Sequence, residues 1–139
     1  MWIFTSNGFF SVGEDARKDI PGHKDNLMVR ARFRGDLHRA FGPLIKELGA
    51  KVHKTQNRDY LYRAYLPKDK FAAYMAKLVS EINYNDFKPT IKEPVLKDMA
   101  MGMWYEGLKA QQAEDERIAE RVGLWKNEDR GDIKNDKLP

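Results

Sequence analysis

Over residues 27–34 apolar and polar side chains alternate without a break. Leu27, Val29, Ala31 and Phe33 fall on one side, and Met28, Arg30, Arg32 and Arg34 on the other. A period of two is that of an extended strand, whose successive side chains point to opposite faces. One face is apolar and the other strongly basic, which predicts an antiparallel sheet packed on one side only. Upstream, residues 2–6 and 9–12 are rich in β-formers and are separated by Asn7-Gly8. That dipeptide supplies the positive φ angles of a two-residue hairpin turn. Residues 13–26, with Pro21-Gly22, read as a loop.

The period changes after Gly35-Asp36, a pair suited to starting a helix. Leu37, Phe41, Leu44, Ile45 and Leu48 recur at helical spacing and stop at Gly49. Gly42-Pro43 interrupts this stripe and predicts a kink, or a turn followed by a second helix with Pro43 in its first turn. Residues 51–54 and 59–66 predict two strands joined at Gln56-Asn57-Arg58. Pro67 then opens a helix in which Phe71, Tyr74, Met75, Leu78, Val79 and Ile82 form one continuous apolar stripe ending at Asn83. Residues 84–89 read as irregular, with Tyr84 and Phe87 packing back on the domain.

From Glu93-Pro94 onward the chain is first Met-rich and helix-prone, then dense in charge, with Ile118, Val122 and Trp125 as sparse apolar points. Residues 126–139 carry almost no apolar content and are expected to be disordered. The order of elements is hairpin, strand, helix, strand, strand, helix and helical tail. Its middle resembles a ferredoxin-like split unit, with the hairpin supplying the missing edge strands. The predicted fold class is α+β, a four- or five-stranded antiparallel sheet with two helices on one face. The expected divisions are a compact domain over 1–90, a helical extension over 91–125 and a tail over 126–139.

Composition narrows the function. The 139 residues include no cysteine, which removes disulfides, thiolate zinc sites and cysteine nucleophiles and favours a reducing, cytoplasmic compartment. No stretch approaches the roughly 20 apolar residues of a membrane span, and the first residues lack the basic start of a secretory signal. Net charge is +4, divided as +6 over residues 1–88 and −2 over 89–139. The basic excess lies in the compact part, compatible with an acidic partner such as nucleic acid, although ordinary solubility charge reaches this level too.

Alternation places Arg30, Arg32 and Arg34 on the face away from the core. Arg63 and Tyr65 share a face of a later strand, with Lys54 or His53 on the strand before it. A basic sheet face with an aromatic can pair phosphates and stack bases, as RNA-recognition-motif sheets do, although no ribonucleoprotein signature is present. The plainer reading is a solvated face whose long side chains cover the sheet and pair with acids. In the tail, Met99, Met103, Trp104 and Leu108, continued by Ile118, Val122 and Trp125, offer an adaptable apolar surface. It could dock on its own domain, join two copies through the C-terminal helix, or grip another protein.

The remaining chemistry is sparse. His23, His38 and His53 have no metal-ligand spacing, so no metal or cofactor is expected. Ser6, Ser11 and Ser80 sit in no nucleophile elbow, and there is no glycine-rich phosphate loop. Asp59 beside Tyr60, Tyr62 and Arg63 is the one polar cluster that could serve acid–base chemistry, with arginine pairing or turn capping as the structural alternative.

The opening Met1-Trp2-Ile3-Phe4-Thr5 with Gly8-Phe9-Phe10-Ser11-Val12 resembles that of a group of short bacterial and phage proteins. Val29-Arg30-Ala31-Arg32 with Gly35-Asp36-Leu37, Asp59-Tyr60 with Tyr62-Arg63, and Ile82-Asn83-Tyr84 with Phe87-Lys88 are similar to later blocks of that group. The resemblance covers residues 1–88 and stops before the tail. It implies a prokaryotic or phage origin and carries no activity or site residue with it. The expectation is a small non-enzymatic binding protein, foremost a protein-interaction module such as an inhibitor of a host factor. A nucleic-acid-binding domain is the first alternative and a small enzyme the second.

Overall fold

The computed structural model describes residues 1–122. Strands β1 (Trp2–Thr5), β2 (Gly8–Glu14), β3 (Asn26–Ala31), β4 (His53–Lys54) and β5 (Tyr62–Pro67) form one antiparallel sheet in the order β1-β2-β3-β5-β4. Helix α1 (Asp36–Leu48) joins β3 to β4, α2 (Lys68–Ser80) follows β5, and α3 (Pro94–Val122) comes last. Because β5 lies between β3 and β4, the segment from β3 to α2 is the predicted split unit. β2 takes the position beside β3 that a closing strand would fill, and β1 adds an edge. Two compact units are distinguished, Met1–Leu96 and a second that begins at Lys97. No helix of the described residues is long and apolar enough to cross a membrane.

The sheet register explains the core. Val12 pairs with Val29 and Val29 with Ala64, while Phe10 pairs with Ala31 and Leu27 with Leu66, so the apolar residues of β2, β3 and β5 line one face. Against that face lie Leu37, Ala40, Phe41, Leu44 and Ile45 of α1 and Phe71 of α2. Phe41 is the hub, with ring centroids 4.8 Å from Phe10 and 5.2 Å from Phe71. Fully burying a side chain of this kind contributes about 1.5–3 kcal/mol.

That magnitude settles what Pro43 does. The predicted break into two helices is absent, and α1 runs from Asp36 to Leu48 with Pro43 inside it. A proline in a helix interior costs about 3 kcal/mol through its lost N–H and ring clash. Phe41, Leu44 and Ile45, all buried around it, outweigh that cost. Gly42 also lacks the Cβ that a proline ring would meet on the preceding residue.

The hairpin differs from expectation as well. β1 and β2 meet at Thr5 and Gly8, so the turn is Ser6-Asn7 and Gly8 is the first residue of β2. Neither Asn7 nor Gly8 has a positive φ. Glycine is needed at position 8 for space, since a Cβ there would lie 2.5 Å from Cζ of Phe10 and 2.9 Å from Cβ of Asp36.

The predicted second strand pair is shorter than expected, two residues in β4 and six in β5, with Asn57 of the connecting loop at φ 57°. The stripe of α2 is not continuous. Phe71 is buried, but α2 stops at Ser80, and Val79 and Ile82 are 61% and 51% exposed. Phe87 packs back as expected, 5.4 Å from the Phe4 ring.

Candidate functional site

The face of the sheet opposite the α1 and α2 core carries a row that crosses all five strands. Trp2 pairs with Ser11, Ser11 with Arg30, Arg30 with Arg63, and Arg63 with His53. Direct cross-strand partners share a face, so these five side chains stand in one line. Arg30 and Arg63 at its centre are like charges set directly opposite one another. Arg30 donates from Nη2 to Ser11 Oγ at 2.8 Å, and Arg63 donates to the Tyr60 carbonyl at 3.4 Å. Neither guanidinium has a carboxylate within 4.0 Å among the described residues. The Nε atoms of both are buried without a hydrogen-bond partner.

These two arginines help line a groove of about 480 Å³ together with Arg17, Arg58, Tyr60 and Tyr65. Its walls come from two loops, residues 16–17 on one side and 57–60 on the other, and Asp59 is its one acidic residue. Arg17 is held in place from below. Its Nε and Nη2 grip the buried Asp15 carboxylate at 3.0 and 2.7 Å, and its guanidinium carbon lies 3.4 Å from the centroid of Tyr65. The Arg17 side chain holds the Asp15 carboxyl below its ordinary value, and the same pairing raises Arg17. Tyr60 is similarly engaged, 4.4 Å from Arg32 and 5.3 Å from Arg30. The tyrosines therefore position arginines by cation–π contact and are already occupied as stacking surfaces.

The sequence-predicted residues divide. Arg30, Arg63 and Tyr65 are brought together on one face as expected. Arg32 lies beyond the end of β3 and reaches the groove rim, donating to the Asp59 carbonyl at 2.9 Å. Arg34 is a correction. β3 ends at Ala31, so the alternation no longer applies at 34, and the side chain is exposed in the turn before α1. Lys54 is a second correction. It pairs with Tyr62, which packs on the core side, and it is His53 that shares the arginine face. Asp59 contributes its backbone oxygen, and its carboxylate makes no ion pair with any described arginine.

Arg17, Arg58 and Trp2 were outside the sequence-level site. The first two sit on loops where no periodicity points to a face. Trp2 carried a signal, an aromatic on a strand whose partner positions could be counted, but only a known register connects it to Arg30.

A second buried carboxyl lies at the start of α1. Asp36 is fully buried, pairs with Arg39 through Oδ1, has no hydrogen-bond partner at Oδ2 and has Glu93 nearby. Burial pushes its pKa up to about 6. It is on the core side of the hairpin, away from the arginine groove.

In α3 the tail residues are helical through Val122. Met99, Leu108 and Ile118 are half-buried, and Met103 and Trp104 are 44% and 38% exposed. Trp125 and residues 126–139 lie outside the described residues. Comparison with family models, curated proteins and solved structures returned no match.

Proposed function

We propose that this chain is a binding protein whose working surface is the arginine groove on the sheet face opposite the α1 and α2 core, and that nucleic acid is what it binds. The observation that carries this reading is the Arg30–Arg63 pair. Two like charges opposed across a strand pair destabilise the sheet, and a buried donor left without a partner costs roughly 1–3 kcal/mol. The hydrogen bonds to Ser11 and to the Tyr60 carbonyl offset only part of that cost. A phosphate entering the groove would accept from both guanidinium groups and relieve both penalties. Arg17, fixed by Asp15 and Tyr65, and exposed Arg58 extend the positive surface along the same groove.

The test is fluorescence anisotropy of labelled DNA and RNA oligonucleotides at two salt concentrations. Affinity that falls steeply with salt is expected, since bound phosphates release counterions. Absence of binding at low salt, where screening is weakest, contradicts the reading.

A second reading has its own observation. Met101, Met103, Trp104 and Tyr105 are all exposed on α3, an adaptable apolar surface suited to another protein. In that reading α3 is a protein-interaction arm, and the groove plays no part in partner capture.

A further inference from the structure

We infer that the nucleic acid is single-stranded and that Trp2 is its base-stacking platform, with a phosphate seated between Arg30 and Arg63. The inference rests on the proposed function and adds to it a ligand form and a residue outside the groove.

Three observations carry it. The first is register: Trp2, Ser11, Arg30 and Arg63 are successive partners across β1, β2, β3 and β5, so the indole lies on the same face and in the same line as the arginine pair. Two strand spacings, about 10 Å, separate Trp2 from Arg30, a reach that the base and phosphate of neighbouring nucleotides cover. The second is exposure. Of the aromatic residues on this face, Tyr60 and Phe9 are buried, Phe4 packs against Phe9 and Phe87, and Tyr65 is covered by Arg17, whereas Trp2 is 70% exposed. Its ring meets Phe9 in a T-shaped contact, centroids 5.6 Å apart at 67°, and most of its surface stays open. The third is charge. The row offers two guanidinium groups and no carboxylate, which selects a polyanion over an apolar or cationic partner.

A duplex can satisfy the arginines through its phosphates, but its paired bases are unavailable to Trp2. A single strand can do both, because every unpaired base presents a π face. An exposed tryptophan on an edge strand is otherwise an aggregation liability, and base stacking gives it a role.

The experiment titrates the full-length protein against a labelled oligothymidylate and a duplex of equal length. The variants are Trp2→Ala, Trp2→Phe and the double charge reversal Arg30→Glu/Arg63→Glu. Tighter binding of the single strand is expected. Trp2→Ala should weaken it about tenfold with no change in salt dependence, the size of one lost stacking contact, and Trp2→Phe should retain most of the affinity. Trp2 is largely exposed, so the circular-dichroism spectrum should be that of the wild type. If Trp2→Ala binds like wild type, or the duplex binds as tightly as the single strand, while the double reversal abolishes binding, the inference is overturned and the groove reading stands. If polyglutamate competes as well as the oligonucleotide, or no oligonucleotide binds, both fall.

Discussion

Arg30 on β3 and Arg63 on β5 face each other as direct cross-strand partners, and no carboxylate among the described residues lies within 4.0 Å of either. Removing one of them should therefore stabilise the fold while harming binding. Arg63→Met keeps an apolar stem on the sheet and removes the repulsion. An increase of a few tenths to about 1 kcal/mol in unfolding free energy is expected, with a smaller gain on adding salt than the wild type shows. Urea denaturation at low and high salt measures both. A less stable variant would mean that the pair is not in tension.

Asp36 sets a pH dependence of the opposite sense to the usual carboxylate. Its folded pKa is raised from 3.8 to about 6. The associated stability is therefore fully present below the unfolded value and is lost as pH rises through the folded one. Unfolding free energy should fall by about 2 kcal/mol between pH 4 and pH 6 from this group. Asp36→Asn is close in size, does not titrate and should remove that fall. Thermal midpoints across pH 4–7 for the two proteins check it. A fall of the same size in the variant would assign the effect elsewhere.

Gly8 is a packing position. Gly8→Ala should cost about 1–3 kcal/mol, because the new methyl meets the Phe10 ring and the Asp36 Cβ and something must shift. Asn7→Ala, with no positive φ to maintain, should be nearly neutral. If the two costs were reversed, the turn would be governed by φ after all. The comparison is by denaturant midpoint.

The sequence was legible where periodicity alone decides. The alternation of Leu27, Val29 and Ala31 identified both the core face and the face bearing Arg30, and the spacing of Leu37, Phe41, Leu44 and Ile45 identified α1. Legibility ended where a neighbour decides. Arg34 lies past a strand end that depends on pairing, and Lys54 and His53 exchange faces on a register set by Tyr62 and Arg63. Pro43 reads as a breaker until the burial around it is weighed. Arg17 sits on a loop, and only the Asp15 clamp and the Tyr65 ring bring it to the groove.

The two binding readings separate on removal of α3's outer part. The core residues and the groove all lie within Met1–Leu96, and residues 103–139 carry net negative charge. A chain ending after Gly102 should keep its fold and bind nucleic acid as well as the full chain or better. Loss of a protein partner on the same truncation, with nucleic-acid affinity nil throughout, would favour α3 as the working surface.

The central claim is tested most directly by the slope of log affinity against log salt for a single-stranded oligonucleotide, measured on wild type and on Arg30→Glu/Arg63→Glu. Each phosphate contact on a single strand contributes about −0.7 to that slope. The double reversal is expected to flatten it by about one contact or more and to weaken binding at low salt. An unchanged slope and unchanged affinity would place any nucleic-acid contact away from the Arg30–Arg63 groove.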